Sequence, residues 1–114
     1  MYYPLPELPH GEALIMGRYL DTKEHKDWRR DLIERDGACV VCGSTERLTG
    51  HHLIPKNIIK FRSDINNGLT LCGSHHSGWG FGLSPHSHGS ILFFLWLQRH
   101  RPDILKWVEE NYDI

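Results

Sequence analysis

Two short motifs contain four residues that could bind one metal ion. Cys39 and Cys42 form a C-x-x-C motif in "CVVC", and Cys72 and His75 form a C-x-x-H motif in "CGSH". Two thiolates at this spacing in a turn can bind one zinc ion, and Cys3His is a known ligand set of structural zinc sites. A redox C-x-x-C would need a thioredoxin-like strand and helix around it, which this sequence does not predict. We therefore predict a structural Zn²⁺ site.

A pair of histidines, His51 and His52, lies in "HHLIP" within a stretch that is predicted to be a strand. Neighbouring side chains of a strand point to opposite faces, so we expect different roles for the two imidazoles. One can bind a metal ion while the other faces a substrate. His76 follows the C-x-x-H motif directly, where a helix is predicted to begin. Neutral imidazoles from separate elements, with open positions beside them, are typical of a catalytic metal site.

Capping residues and hydrophobic periodicity predict the elements that position these side chains. The order of helices and strands indicates an α+β fold. An arm with three prolines is expected over 1–20, and the segment 84–90, with His86 and His88, is predicted to be a loop. The predicted helices cover 21–37, 91–99 (capped by Ser90) and 101–112, with a short one beginning in 73–82, and the predicted strands lie in 47–55 and 67–72.

Length and composition limit the class of protein. The 114 residues suit one domain. The formal net charge of −1 is not the basic balance of a typical nucleic-acid-binding domain, so any such contact has to come from a local basic patch. The longest apolar run, 91–97, is far below the roughly 20 residues that span a bilayer, and we expect it to lie in the core. Three cysteines and no signal-peptide pattern predict a cytoplasmic protein with reduced thiols.

In this order, "CVVC", "HHLIP", "NGLTLC" and "CGSHH" resemble the HNH endonuclease family, a branch of the ββα-metal (His-Me finger) nucleases. The resemblance covers about residues 37–80. It implies a small ββα-metal core that is stapled by a structural zinc and flanked by the helices of 90–112, so that 1–114 form a single HNH nuclease domain. It also implies metal-dependent hydrolysis of DNA phosphodiester bonds, as a nick or a double-strand cut.

The same resemblance implies a role for each matching residue. His51 and His76 would bind the catalytic divalent ion, and His52 would be the general base. Asn67 would orient the His52 ring by a hydrogen bond; Asn66 stands beside it, but the family spacing favours Asn67. The family usually has a cysteine where this chain has His75, so the division of His75 and His76 between the two metal sites stays open at this point.

Histidine rather than aspartate as the first ligand predicts a softer metal site, which prefers Zn²⁺, Ni²⁺ or Mn²⁺ but can still use abundant Mg²⁺. Lys56, Lys60 and Arg62 follow the predicted active-site strand and are our candidates for DNA phosphate contacts. Arg29 and Arg30 suit either a solvated helix face or a phosphate contact.

The resemblance also implies partners. Double-stranded DNA is the expected substrate, and the small size resembles phage-type members, some of which work with a DNA-packaging terminase in the host cytoplasm. Such a chain could act as a monomer or a homodimer. The alternative is a non-catalytic zinc-binding module that uses the same scaffold for DNA or protein interaction.

Overall fold

The computed structural model describes residues 19–20, 22–76, 85–86 and 90–112. Within these ranges the chain forms a two-stranded antiparallel sheet and helices, which confirms the predicted α+β class. Most of the predicted arm, the end of the segment 73–82, and His88 lie outside the described residues. The elements in chain order are α1 (Lys23–Asp36), β1 (Leu48–His52), β2 (Gly68–Cys72), α2 (Gly73–His76), α3 (Ser90–His100) and α4 (Pro102–Asn111).

Helix α1 begins and ends where its capping residues predict. The Thr22 side chain accepts a hydrogen bond from the His25 backbone N–H, as an N-cap does. Gly37 ends the helix in the left-handed conformation, with φ of 73°, and its N–H bonds to the Ile33 carbonyl. Trp28 and Leu32 are the buried residues of the helix, so this face packs on the sheet.

The close approach of α1 to the sheet depends on two glycines. A Cβ atom at Gly50 would lie 2.6 Å from the Trp28 ring, and one at Gly68 would lie 2.5 Å from it. These two residues belong to neighbouring strands, so the indole lies flat across both of them. The Trp28 Nε1 donates a hydrogen bond of 2.9 Å to the Asp64 carbonyl, which fixes the ring in this position.

The register of the two strands sets where the β1 histidines lie relative to Cys72. In this register Leu48 pairs with Cys72 and His52 pairs with Gly68, so β1 carries its histidines away from the Cys72 end. All five residues of β2 are buried, whereas β1 is mostly half-buried. Strand β2 is therefore the centre of the core. Residues that pack around it include Cys39, Phe93, Leu97 and Ile104.

Helix α3 contributes less to the core than its sequence predicts. Phe93 and Leu97 are its buried residues, and Trp96 packs partly against the core. Ile91 and Phe94, by contrast, are 74% and 51% exposed. The prediction that the whole run 91–97 is core is therefore wrong, because a helix presents only one face to its neighbours. Over the described ranges, no helix is both long enough and apolar enough to cross a membrane.

The side chain of Asn67 holds together the long connection between the two strands. It is fully buried. Its Oδ1 accepts a hydrogen bond of 2.7 Å from the Ile54 N–H, and its Nδ2 donates to the carbonyls of Ile54, at 2.9 Å, and Phe61, at 3.1 Å. One amide thus satisfies three backbone groups of a segment that has no regular structure of its own.

Asn67→Ala is expected to lower the free energy of unfolding by about 3 kcal/mol, because it leaves buried backbone groups without partners. Urea denaturation followed by circular dichroism measures this loss. Asn66→Ala is the matched control: Asn66 is exposed, and within the described ranges its side chain bonds only to Asp64, so its removal should cost less than about 1 kcal/mol. Equal losses in the two variants would contradict the structural role of Asn67.

Candidate active site and metal centres

The four residues of the predicted zinc site come together. Cys39 and Cys42 lie in the turn that follows α1, Cys72 ends β2, and His75 lies in α2. The Val40 N–H bonds to the Thr70 carbonyl at 3.0 Å and so ties the turn to β2. The four potential ligand atoms lie within 4.8 Å of one another. This Cys3His cluster could therefore hold a structural zinc.

The distances within this cluster suit one tetrahedral ion. The sulfurs of Cys42 and Cys72 are 3.7 Å apart, and the Cys72 sulfur lies 3.3 Å from the His75 Nδ1. Tetrahedral zinc would separate two sulfurs by about 3.8 Å, and a sulfur and a nitrogen by about 3.5 Å. The structure thus places His75, not His76, beside the cysteines.

Backbone groups favour the thiolate form that a zinc ligand needs. Burial alone would raise the pKa of the Cys39 thiol, but hydrogen bonds from the backbone at Cys72, Cys42 and Val41 outweigh burial and hold this pKa below its ordinary value. Metal binding requires a deprotonated thiol. At Cys42 a backbone hydrogen bond from Ser44 also lowers the thiol pKa, but burial and the thiols of Cys72 and Cys39 outweigh it, so this pKa is raised and the thiolate is favoured at Cys39 only.

A second cluster consists of three histidines. His51 on β1 and His76 on α2 are joined by His86, and their ring nitrogens lie within 4.8 Å of one another. The His51 Nδ1 is 3.0 Å from the His86 Nε2, and the His86 backbone N–H bonds to the His76 carbonyl at 3.3 Å. The predicted pair of ligands is thus brought together, and a third donor is added to it.

Sequence reasoning placed His86 in a loop without assigning it partners. Its neighbours in space are 10 and 35 residues away along the chain, and no fixed motif spacing connects them. The available signal was the unusual number of histidines, nine in 114 residues, and this number does not say which of them meet.

Two of the imidazoles are in a suitable state for metal binding. Burial, followed by the neighbouring His86 and His76, lowers the pKa of His51 to about 3. Burial, followed by the charge on His86, lowers the pKa of His76 to about 4. The rings of His51 and His76 are therefore neutral at pH 7. Neutral imidazole nitrogens suit Zn²⁺, Ni²⁺ and similar transition-metal ions.

His52 has a fixed ring orientation. Its Nε2 lies 2.9 Å from the Arg62 carbonyl, which can only accept a hydrogen bond, so Nε2 carries the proton and Nδ1 has the lone pair. The ring also stacks on Trp28, with 4.0 Å between centroids and 10° between planes. Burial lowers the pKa of His52; the bond to Arg62 opposes this shift, while His25 and Lys56 add to it. Nδ1 has no hydrogen-bond partner among the described residues.

The predicted hydrogen bond between Asn67 and the His52 ring is wrong. The Asn67 amide is fully used by the backbone of Ile54 and Phe61, and the Arg62 carbonyl and the Trp28 ring orient His52 instead. The physical reason is burial: the amide lies inside the loop, where several backbone groups need partners.

One cleft of about 920 Å³ connects these groups. His51 and His52, which are neighbours on β1, both line this cleft. Of the three predicted DNA-binding residues, Lys56 borders it. Lys60 lies over the Phe61 ring, and Arg62 pairs with Glu24 at 3.5 Å, so neither is placed at the cleft. The ionisable residues that line the cleft are His25, Lys26, Arg29, His51, His52, Lys56, His76 and His86.

In a comparison with protein families, residues 39–84 match the family described as HNH endonuclease. The matched segment contains the Cys3His cluster, His51, His52, Asn67 and His76, and it ends two residues before His86. Comparisons with curated proteins and with solved structures give no match.

Proposed function

We propose that this chain, whose residues 39–84 match the family described as HNH endonuclease, is a metal-dependent endonuclease that hydrolyses phosphodiester bonds in DNA. The observation that supports this most strongly is the grouping of a three-histidine cluster and His52 around one cleft. A module that only bound nucleic acid would have no need for a fixed, neutral imidazole beside a candidate metal site.

His51, His76 and His86 would hold the catalytic ion. A divalent cation bound there supplies positive charge, which stabilises the negative charge that develops on the phosphate group and the leaving oxygen. An imidazole that binds a metal ion through its lone pair adds no negative charge, so such ligands would leave the full charge of the cation available to the substrate. Three protein ligands also leave coordination positions open, as a catalytic rather than a structural site requires.

His52 would act as the general base. Its Nδ1 lone pair takes a proton from the water that attacks the phosphorus, while the Nε2 proton stays in its hydrogen bond to Arg62. The imidazolium that forms keeps that hydrogen bond, and the backbone carbonyl stabilises its charge. The flat contact with Trp28 prevents the ring from turning away from the cleft. We propose Asn67 as a positioning residue, because it shapes the loop that contains Arg62.

A supercoiled-plasmid nicking assay tests this proposal. The protein is treated with a mild chelator and then supplied with Mg²⁺, Mn²⁺, Ni²⁺ or Zn²⁺ in separate reactions. Nicked or linear plasmid with at least one of these ions is the expected result. If folded protein that retains its structural zinc cuts with none of them, the non-catalytic zinc-binding module is the better interpretation.

His86→Ala is expected to raise the ion concentration for half-maximal nicking by about 10- to 100-fold, the size of effect known for groups that support a metal site. Isothermal titration with Mn²⁺ or Ni²⁺ measures the same loss without DNA. His100→Ala is the control, because His100 is exposed on α3 and contacts Trp96. An unchanged ion affinity in His86→Ala would remove His86 from the metal site.

A further inference from the structure

We propose that Lys26 and Arg29 of α1 bind phosphates of the DNA backbone next to the scissile bond, together with Lys56 from the segment after β1. We call these three residues the cationic strip. The proposal rests on the proposed endonuclease function and assigns to α1 a role in holding the substrate.

The position of the strip is the first argument. Lys26 and Arg29 are three residues apart and so lie on one face of α1. Both border the cleft that also contains the histidine cluster and His52, and Lys56 borders it from the segment after β1. All three side chains are exposed. A phosphodiester at the metal cluster would therefore have its neighbouring phosphates within reach of these cations.

The second argument is that the strip is unpaired while the neighbouring cations of α1 are neutralised. The Lys23 Nζ lies 2.7 Å from Asp27, and Arg30 pairs with Asp27 at 3.0 Å and with Asp31 at 3.1 Å. In the part of the chain that the structure describes, no member of the strip forms an ion pair. Among the described residues, three cations without an ion pair, Lys26, Arg29 and Lys56, thus line the same cleft, although the net charge of the chain is −1. A phosphate-binding surface requires this local concentration.

The third argument is the preorganisation of Arg29. Its Nη2 donates a hydrogen bond of 3.0 Å to the Leu48 carbonyl at the start of β1. This bond holds the guanidinium at the edge of the sheet, while most of its N–H groups stay available. A guanidinium can bind two phosphate oxygens at once, so a fixed orientation favours a directed contact over a diffuse one.

The His25 ring lies in the same cleft as Arg29 and Lys56. Burial lowers the pKa of His25, and the charges of Arg29 and Lys56 add to this effect.

The test measures binding separately from cleavage, with two matched pairs of variants. Fluorescence anisotropy follows the binding of a short DNA duplex without added divalent ion, over a range of salt concentrations. Arg29→Ala is compared with Arg30→Ala, and Lys26→Ala with Lys23→Ala. Each strip variant should bind on the order of tenfold more weakly at 0.1 M salt, and its plot of log K against log[salt] should be about 0.9 less steep. The paired controls should stay within about twofold of wild type.

Circular dichroism and zinc content confirm that each variant is folded. Wild-type protein that binds and nicks DNA, with Arg29→Ala and Lys26→Ala equal to their controls, would overturn the proposed strip and leave the proposed function intact. Strip-dependent binding by wild-type protein that never nicks DNA would support the strip and count against the endonuclease function.

Discussion

Cys72→Ala and Cys39→Ala are each expected to yield a chain that holds no structural zinc and shows no cooperative unfolding transition. Structural zinc contributes roughly 10–16 kcal/mol of apparent binding energy at pH 7, which is as large as the whole stability of a typical domain. Cys39 and Cys72 also belong to the buried core, so their removal disturbs packing as well. Zinc content by mass spectrometry, together with thermal melts, measures the outcome.

Two adjacent histidines provide the matched control. His75→Ala should lose zinc like the cysteine variants, because His75 lies against the Cys72 sulfur. His76→Ala should keep its zinc and its melting transition, because His76 belongs to the other cluster. A zinc-free Cys39→Ala protein with a wild-type melting transition would refute the structural role of the metal.

His52→Ala is expected to lower the rate of plasmid nicking by about 10²- to 10⁴-fold, the usual contribution of a general base. The variant should still bind DNA, since His52 is not part of the cationic strip. Single-turnover nicking at a saturating ion concentration is the appropriate measurement, because it separates the chemical step from binding.

Ion affinity distinguishes His52 from the metal ligands. His52→Ala should bind Mn²⁺ or Ni²⁺ as wild type does, whereas His86→Ala should not. If His52→Ala nicks within tenfold of the wild-type rate, His52 is not the base, and a different group must accept the proton.

The sequence predicted those features whose residues lie close together along the chain. The two metal-binding motifs have ligands that are close along the chain, and the caps of α1 are single residues next to the helix. The alternation of faces along β1 correctly separated His51, in the histidine cluster, from His52, against Trp28.

Contacts between distant segments could not be predicted in this way. Asn67 precedes a glycine, which is typical of a turn, and its partners lie in an irregular segment without periodicity. His86 meets His51 across 35 residues. The pairing of Arg62 with Glu24 depends on how α1 packs against the loop, so the charge of Arg62 and its position after the predicted strand could not reveal this pairing.

Consecutive residues of α2 contribute to the two candidate metal sites. His75 belongs to the cluster with the cysteines, and His76 belongs to the cluster with His51 and His86. A step of one residue turns an α-helix by about 100°. The rotation of α2 about its axis therefore sets the directions in which His75 and His76 point, and so where one site lies relative to the other. A single-residue insertion between His75 and His76 would rotate one ligand out of its site, although every ligand would still be present in the sequence. A related protein that contains the same ligand residues is therefore expected to bind both ions only if its counterparts of His75 and His76 are also adjacent.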